Sequence, residues 1–325
     1  MLKYKRSNFV SMQKNDTTFI LRLLLVIGLL LLPDKTFTQE PQIFTLKDFD
    51  LRGNVKSCLV ITDYGKEEFE FNREDLLTKN VTRYNDSDYD ITYYKYAGGQ
   101  LMEKRDEIYR EGEFDKQTSI AHFYEVDTSG TKKVSEKIIS YSGDVLDIYE
   151  YSYDEDGNLV KIIRSNNKGL DETNIEYNTY QGETTITYLL NGVLLKSIRT
   201  SFRKNRKGAK EKIVLTKGFI EGVPDSAQEK IYDTEDKLIS LKEFNYDEIK
   251  KSFVANKFIN YTYDDTGLLS REVEKNDKSV NTKDYIYQFD GTEDGNWVKK
   301  IITPKNLFTT RSISYYKDEK IKIEE

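Results

Sequence analysis

The sequence predicts an all-β protein, with antiparallel β-hairpin repeats forming one elongated, twisted or curled sheet. Three observations predict it. A short pattern recurs: aromatic–x–aromatic, then an acidic or Gly/Asn turn, then a Leu-rich arm followed by a basic residue. Aromatic residues make up 13% of the chain, with 24 tyrosines and one tryptophan, a composition suited to thin layers covered by amphipathic rings. Beyond residue 40 no stretch shows the 3.6-residue periodicity of a helix.

The first element, residues 1–38, reads as a signal peptide. Leu23 to Leu32 is an apolar run of 10 residues, preceded by Lys14 and Arg22 and followed by Pro33. A spanning helix needs about 20 residues, so the run is too short for one and the right length for a leader core. Thr36 and Thr38 stand at the small-residue positions before a cleavage site ahead of Gln39, and Met12 offers an alternative start with a compact basic region. The remainder carries a net −10 against −6 for the whole chain, because residues 1–38 hold six Lys/Arg and two Asp. An acidic chain repels phosphate backbones, so nucleic acid is not expected as a partner. Arg203-Lys-Asn-Arg-Lys-Gly-Ala-Lys210 breaks that trend and reads as a solvated hairpin loop.

Residues 39–68 are expected to form strands leading into the array, which occupies residues 69–300, with a C-terminal strand and charged tail over 301–325. The clearest copies are Tyr151-Ser-Tyr-Asp-Glu-Asp-Gly-Asn-Leu-Val-Lys161 and Tyr261-Thr-Tyr-Asp-Asp-Thr-Gly-Leu-Leu-Ser-Arg271. Phe69 to Lys79, Tyr94 to Lys104, Ile231 to Ile239 and Tyr287 to Lys299 follow the pattern more loosely, and eroded units centre on Tyr124 and Tyr188. The residues placed before each turn are Phe71, Tyr96, Tyr124, Tyr153, Tyr188, Tyr232, Tyr263 and Phe289, spaced 25 to 44 apart. Such a recurrence marks a repeat architecture. Each unit reads as a hairpin: alternate aromatics share one strand face, and Gly157 and Gly267 supply the positive φ that a tight turn needs.

Tyr-x-Tyr-Asp-x-x-Gly-x-Leu resembles the YD repeat of the RHS-type family over roughly residues 69–300. Leu51-Arg-Gly-Asn-Val-Lys56 and Asp294-Gly-Asn-Trp-Val-Lys-Lys300 resemble the ends of repeat proteins exported by Bacteroidota. The resemblance implies hairpins joined side by side into a long, curled sheet. Full RHS shells enclose a toxin and carry a self-cleaving segment. Neither is visible here, so the enclosing function is not carried over.

No catalytic residue, metal site or cofactor is expected. His122 is the single histidine and Cys58 the single cysteine, so a triad or a Cys-His dyad would have to use His122, and a zinc site has too few ligands. Cys58 reads as a small packed strand residue, and His122 as a structural or surface histidine on a strand face. Asp154 to Asn158 and Asp290 to Asn296 superficially resemble calcium loops but lack the distal glutamate and flanking helices, so they read as acidic turns. With 56 acidic residues, carboxylate spacing has no specificity for glycoside hydrolysis. An outer-membrane barrel is not expected either, because a lipid-facing band cannot carry so many charges.

The aromatic stripes remain. Tyr149, Tyr151 and Tyr153 alternate along one segment, Tyr261 and Tyr263 along another, and Tyr285 and Tyr287 along a third. These seven residues are the candidate ligand contacts. They read either as core, or as a platform for sugar rings or an extended peptide. The expected function is that of a non-enzymatic exported protein (periplasmic, surface-bound or secreted) that binds a glycan polymer or an envelope protein. The alternatives are assembly through an open sheet edge and a carboxylate-pair hydrolase.

Overall fold

The computed structural model describes residues 42–276, 278–293 and 295–317. The leader assigned to residues 1–38 and the tail from Lys320 fall outside them. After a four-residue 3-10 turn at Leu46–Phe49, the regular elements are strands. The first half comprises β1 (Val55–Thr62), β2 (Gly65–Phe71), β3 (Leu77–Arg83), β4 (Tyr89–Ala97), β5 (Gln100–Arg110), β6 (Glu113–Phe114), β7 (Ile120–Asp127), β8 (Lys133–Ser140), β9 (Val145–Tyr153) and β10 (Leu159–Asn166). The second comprises β11 (Gly169–Tyr180), β12 (Glu183–Leu190), β13 (Val193–Lys204), β14 (Lys210–Ile220), β15 (Val223–Tyr232), β16 (Leu238–Asp247), β17 (Ser252–Tyr263), β18 (Leu269–Asn276), β19 (Val280–Phe289), β20 (Trp297–Thr303) and β21 (Leu307–Tyr315).

Sequential strands pair antiparallel, with the two-residue β6 a branch on β5, whose ladder continues to β7. The last strand then pairs with the first, Cys58 opposite Ile313 and Val60 opposite Arg311. Twenty strands thereby close into a barrel. The all-β antiparallel expectation holds, but the elongated, curled open sheet is corrected to a closed ring. Closure removes the two rows of unpaired N–H and C=O groups that end strands would otherwise present. It also leaves no long free edge among the described strands for a partner strand to join.

The repeat has a geometric basis. Asp154 Oδ1 accepts from the Asn158 N–H at 2.7 Å, and the Gly157 N–H donates back to the Asp154 carbonyl at 3.1 Å. Asn72, Asn205, Asp233 and Asp264 close their turns in the same way, each Oδ1 accepting from backbone N–H groups two and four residues on. The leucine after the turn then lies where the ladder to the following strand has not begun. Pairing of β10 with β11 starts at Lys161, and that of β18 with β19 at Arg271. A tyrosine hydroxyl from the following strand takes that leucine's carbonyl: Tyr96 to Leu77, Tyr177 to Leu159, Tyr263 to Leu238 and Tyr287 to Leu269, at 2.8–3.0 Å. This contact requires tyrosine rather than phenylalanine.

Gly157 has φ +80°, and a Cβ added there would meet nothing within 4 Å, so valine at this position brings backbone strain and no clash. Gly157→Val is expected to cost about 1–3 kcal/mol in a urea melt. An unchanged midpoint would mean that the left-handed turn is not required.

Two of the aligned units are out of phase with the strands. Tyr124 and Tyr188 lie inside β7 and β12, and the turns come later, Asn191-Gly192 in the second case. The basic run Arg203 to Lys210 is itself a hairpin turn, built on Asn205 between β13 and β14.

Alternation sorts the strands into two faces. One carries Phe69, Phe71, Tyr94, Tyr124, Tyr151, Tyr188, Tyr261 and Tyr285, and is here called the tyrosine face. The buried apolar strand residues fall mainly on it, with Val81, Ala121, Ala227 and Ile231 on the other. A single-layer sheet buries side chains best where they converge, on its concave side, which assigns the tyrosine face to the barrel interior. Residues 44–52 bridge that side as a chord does. Phe44 meets the Tyr94 ring at 6.0 Å, Phe49 packs on Phe69 at 4.5 Å, and the Arg52 guanidinium reaches the Thr266 carbonyl beyond β17 at 3.1 Å. A ring of this strand number is wide enough for an aqueous lumen. Both faces are charged. Lys79–Glu70, Arg83–Glu68 and Lys242–Glu229 pair on the outer side, and Lys104–Asp106 and Lys283–Glu272 on the inner.

Candidate functional site

The seven candidate tyrosines divide into three environments. In β9, Tyr151 and Tyr153 are buried, 2% and 3% exposed, and Tyr149 is half-buried, its ring stacked on Tyr151 at 6.0 Å. Tyr263 and Tyr287 are half-buried struts whose hydroxyls hold the leucine carbonyls described above. Tyr261 and Tyr285 are half-buried and flank Glu272 on β18.

Tyr151 belongs to a polar network that sequence reasoning missed. Glu136 on β8 is 9% exposed and accepts from the Tyr151 hydroxyl at 2.7 Å and the Tyr124 hydroxyl at 3.0 Å. His122 Nδ1 lies 2.7 Å from the same carboxylate, and its Nε2 lies 3.6 Å from Asp106 Oδ2 on β5. Asp106 in turn accepts from Thr92 at 2.8 Å and pairs with Lys104 at 2.9 Å. Burial pushes the Asp106 carboxyl up, but His122, Lys104 and Thr92 outweigh it and hold the pKa at about 2. Glu136 is likewise lowered, its three donors exceeding the cost of burial. Burial opposes the charge on His122, yet the two carboxylates raise its pKa above the ordinary 6.5. The arrangement favours the protonated imidazole between two carboxylates and ties five strands together, β4, β5, β7, β8 and β9. The sequence signal for it is a lone carboxylate in an apolar alternation, Val134-x-Glu136-x-Ile138.

Near the other end of the chain, Glu272 accepts from Lys283 at 2.7 Å and from the Tyr285 hydroxyl at 3.2 Å. Tyr261 stands opposite Glu272 in the β17–β18 register, and Glu274 opposite Ile259. Burial and then the surrounding carboxylates (Glu272 foremost) raise the pKa of the Tyr261 hydroxyl. The result is a pair of half-open rings around a Lys–Glu pair on the inner wall. Residues 44–52 reach the turn of this same β17–β18 hairpin through Arg52 and otherwise cover the arc where Arg311 lies 3.5 Å over the Trp297 ring and donates to the Phe49 carbonyl at 2.8 Å. Cys58 is buried there, and burial pushes its thiol up to about 11, against the pull of Arg311. Such a thiol is a packed side chain rather than a nucleophile.

No family profile matches the chain, and no curated protein matches it. Among solved structures, a porin-like protein from Bacteroides uniformis ATCC 8492 superposes with a TM-score of 0.32 at 8% identity, over 80% of this chain and 96% of that one. A porin-like protein from Bacteroides vulgatus ATCC 8482 gives 0.23 at 11%, over 81% and 98%. The structure of TcdB2-TccC3 gives 0.21 at 13%, over 85% of this chain and 18% of that one. At these scores none of them carries a residue, an activity or a membrane position across to this chain.

Proposed function

We propose that the protein is an exported, non-catalytic β-barrel that binds an extended glycan on its inner, tyrosine-bearing wall. The observation that carries this is the half-open pair Tyr261 and Tyr285 around Lys283–Glu272. Planar rings offer stacking surface to sugar rings, and the adjoining carboxylate and ammonium groups offer hydrogen bonds to hydroxyls. Tyr151 and Tyr153 take no part in this reading, because their rings are already enclosed. Export rests on the short apolar run with Thr36 and Thr38 behind it. Ion pairs on the outer side argue for a barrel in water rather than one spanning lipid, where that side would be an apolar band.

A glycan array probed with the purified protein tests the reading, followed by calorimetry on the best ligand. Tyr261→Ala and Tyr285→Ala are each expected to weaken binding by about 1–3 kcal/mol, taking base stacking as the guide. Retention of an envelope protein but no glycan would shift the reading to that partner. Full affinity in both variants would remove this site from it.

A further inference from the structure

The basic run Arg203 to Lys210 forms the turn between β13 and β14, and that hairpin stands past its neighbours at the rim. Ladder pairing of β13 with β12 ends at Thr200, and that of β14 with β15 at Lys212. Further out the two strands pair only with each other, Arg203 opposite Glu211 and Lys204 opposite Lys210. The one acid of the hairpin, Glu211, is paired with Arg203 at 2.8 Å. Lys204, Arg206, Lys207 and Lys210 are exposed and have no carboxylate in ion-pair contact among the described residues. The acids of the adjoining turns are held elsewhere. Glu183 faces Arg199 at 3.7 Å, Asp236 takes Lys212 at 2.6 Å, Glu235 takes Lys237 at 2.6 Å, and Asp233 closes its own turn.

Alternation carries this charge into the lumen. Lys204 and Lys210 share the inner face with Lys212 and Lys230, and Lys196 lies further down the same wall. Burial lowers the Lys196 ammonium to about 8, which leaves it mainly charged at neutral pH. No carboxylate falls on the inner side of the β12–β13, β13–β14 and β14–β15 ladders. Glu243, on the inner side of β16, stands opposite Gln228 and Lys257. Thr184, Thr200, Thr216 and Gln228 occupy the wall between the lysines.

We infer that the glycan proposed above is an acidic one, bearing uronate or sulfate groups that meet the β13–β14 hairpin first and then the lysines of the inner wall. This rests on the reading above for the sugar and on these cations for the charge. A cleft lined by one sign of charge concentrates the opposite sign. Lys210, Lys212 and Lys230 lie in successive inner rows, about 7 Å apart, with hydroxyl and amide groups between them to meet sugar hydroxyls. Nucleic acid fits less well, because an ammonium already covers one face of each ring in this arc. Lys196 lies 4.0 Å over Tyr188, Lys210 3.9 Å over Phe202 and Lys212 4.7 Å over Tyr232. Glu272 and Glu274 make the Tyr261–Tyr285 arc acidic, so uncharged sugar units belong there and acidic units belong on β13 to β15.

The test is titration calorimetry of the purified protein with hyaluronan, polygalacturonate and dextran sulfate. Each is set beside its uncharged counterpart (the methyl esters and plain dextran), and polyphosphate supplies charge without sugar. At least one acidic glycan is expected to bind about tenfold or more tighter than its counterpart, and to weaken as salt is added. Lys204→Gln/Lys210→Gln and Arg206→Gln/Lys207→Gln are each expected to lower that affinity about tenfold, and Lys204→Arg/Lys210→Arg to keep it. All these positions are exposed, so circular dichroism is expected to be unchanged. Counterparts that bind as tightly, or glutamine variants with full affinity, would overturn the acidic assignment, and a loss in Tyr261→Ala would then still support the glycan reading. Binding lost in the glutamine variants but kept in Tyr261→Ala and Tyr285→Ala would support the lysine site and remove the tyrosine pair. Polyphosphate bound as tightly as every glycan, or no binding of any acidic glycan, would overturn the inference.

Discussion

Tyr151→Ala is expected to cost about 3–5 kcal/mol of folding stability, by analogy with other large-ring truncations in cores. The ring is 2% exposed, faces Val134 and Ile162 in the two adjoining ladders, and stacks on Tyr149. Its hydroxyl also supplies one of the three donors to Glu136. Tyr151→Phe separates the two contributions. It keeps the ring and withdraws one hydrogen bond from a buried carboxylate, which is expected to cost about 1–3 kcal/mol. Urea denaturation of both variants measures the difference. A Tyr151→Ala protein that melts like the wild type would return this ring to the set of possible ligand contacts.

The local parts of the fold are legible because their causes are local. An aspartate whose side chain closes its own turn, a glycine at positive φ and a Leu-rich return arm all lie within about a dozen residues, so the copies at Tyr151 and Tyr261 are readable on inspection. Aromatic spacing alone does not fix phase, so Tyr124 and Tyr188 read as turn residues too early; Asn191-Gly192 is the better mark for the second. The Asn205 turn carries lysine and arginine where the other copies carry acids, and its run of basic residues still reads as a hairpin loop. Closure is not legible at all. Val55–Thr62 and Leu307–Tyr315 each read as ordinary strands, and nothing local distinguishes pairing with a neighbour from pairing across the whole chain. The same reason hides the Asp106–His122–Glu136 network. It depends on β5 continuing its ladder to β7 past the β6 branch, which places His122 opposite Lys104.

Glu136→Ala is expected to be comparably damaging, at about 3–5 kcal/mol, because it leaves a buried imidazole and two hydroxyls without their shared acceptor. Its pH signature distinguishes it from a simple loss of packing. In the wild type the raised pKa of His122 contributes stability that is fully present below the ordinary 6.5 and lost as pH rises through the higher folded value. The lowered pKa values of Asp106 and Glu136 act in the opposite sense. Their contribution is present above the ordinary carboxylate values of 3.8 and 4.5, and is lost as pH falls, through about 2 in the case of Asp106. The network is therefore strongest in the window between those carboxylate values and the ordinary histidine value, and the wild type is expected to lose stability on the alkaline side of it. Lys104, Thr92, Tyr124 and Tyr151 complete the shell around these three groups, and both tyrosines have raised pKa values, chiefly through burial, so they stay neutral across that range. Removing Glu136 takes away the closer of the two carboxylates that hold the imidazolium, leaving Asp106 at 3.6 Å. The alkaline limb should shrink in Glu136→Ala and vanish in His122→Gln, as read from urea midpoints between about pH 5 and about pH 9. A wild-type midpoint that stays flat across that interval, or a limb that survives His122→Gln, would show that the proton held between β5, β7 and β8 does not help to hold those strands together.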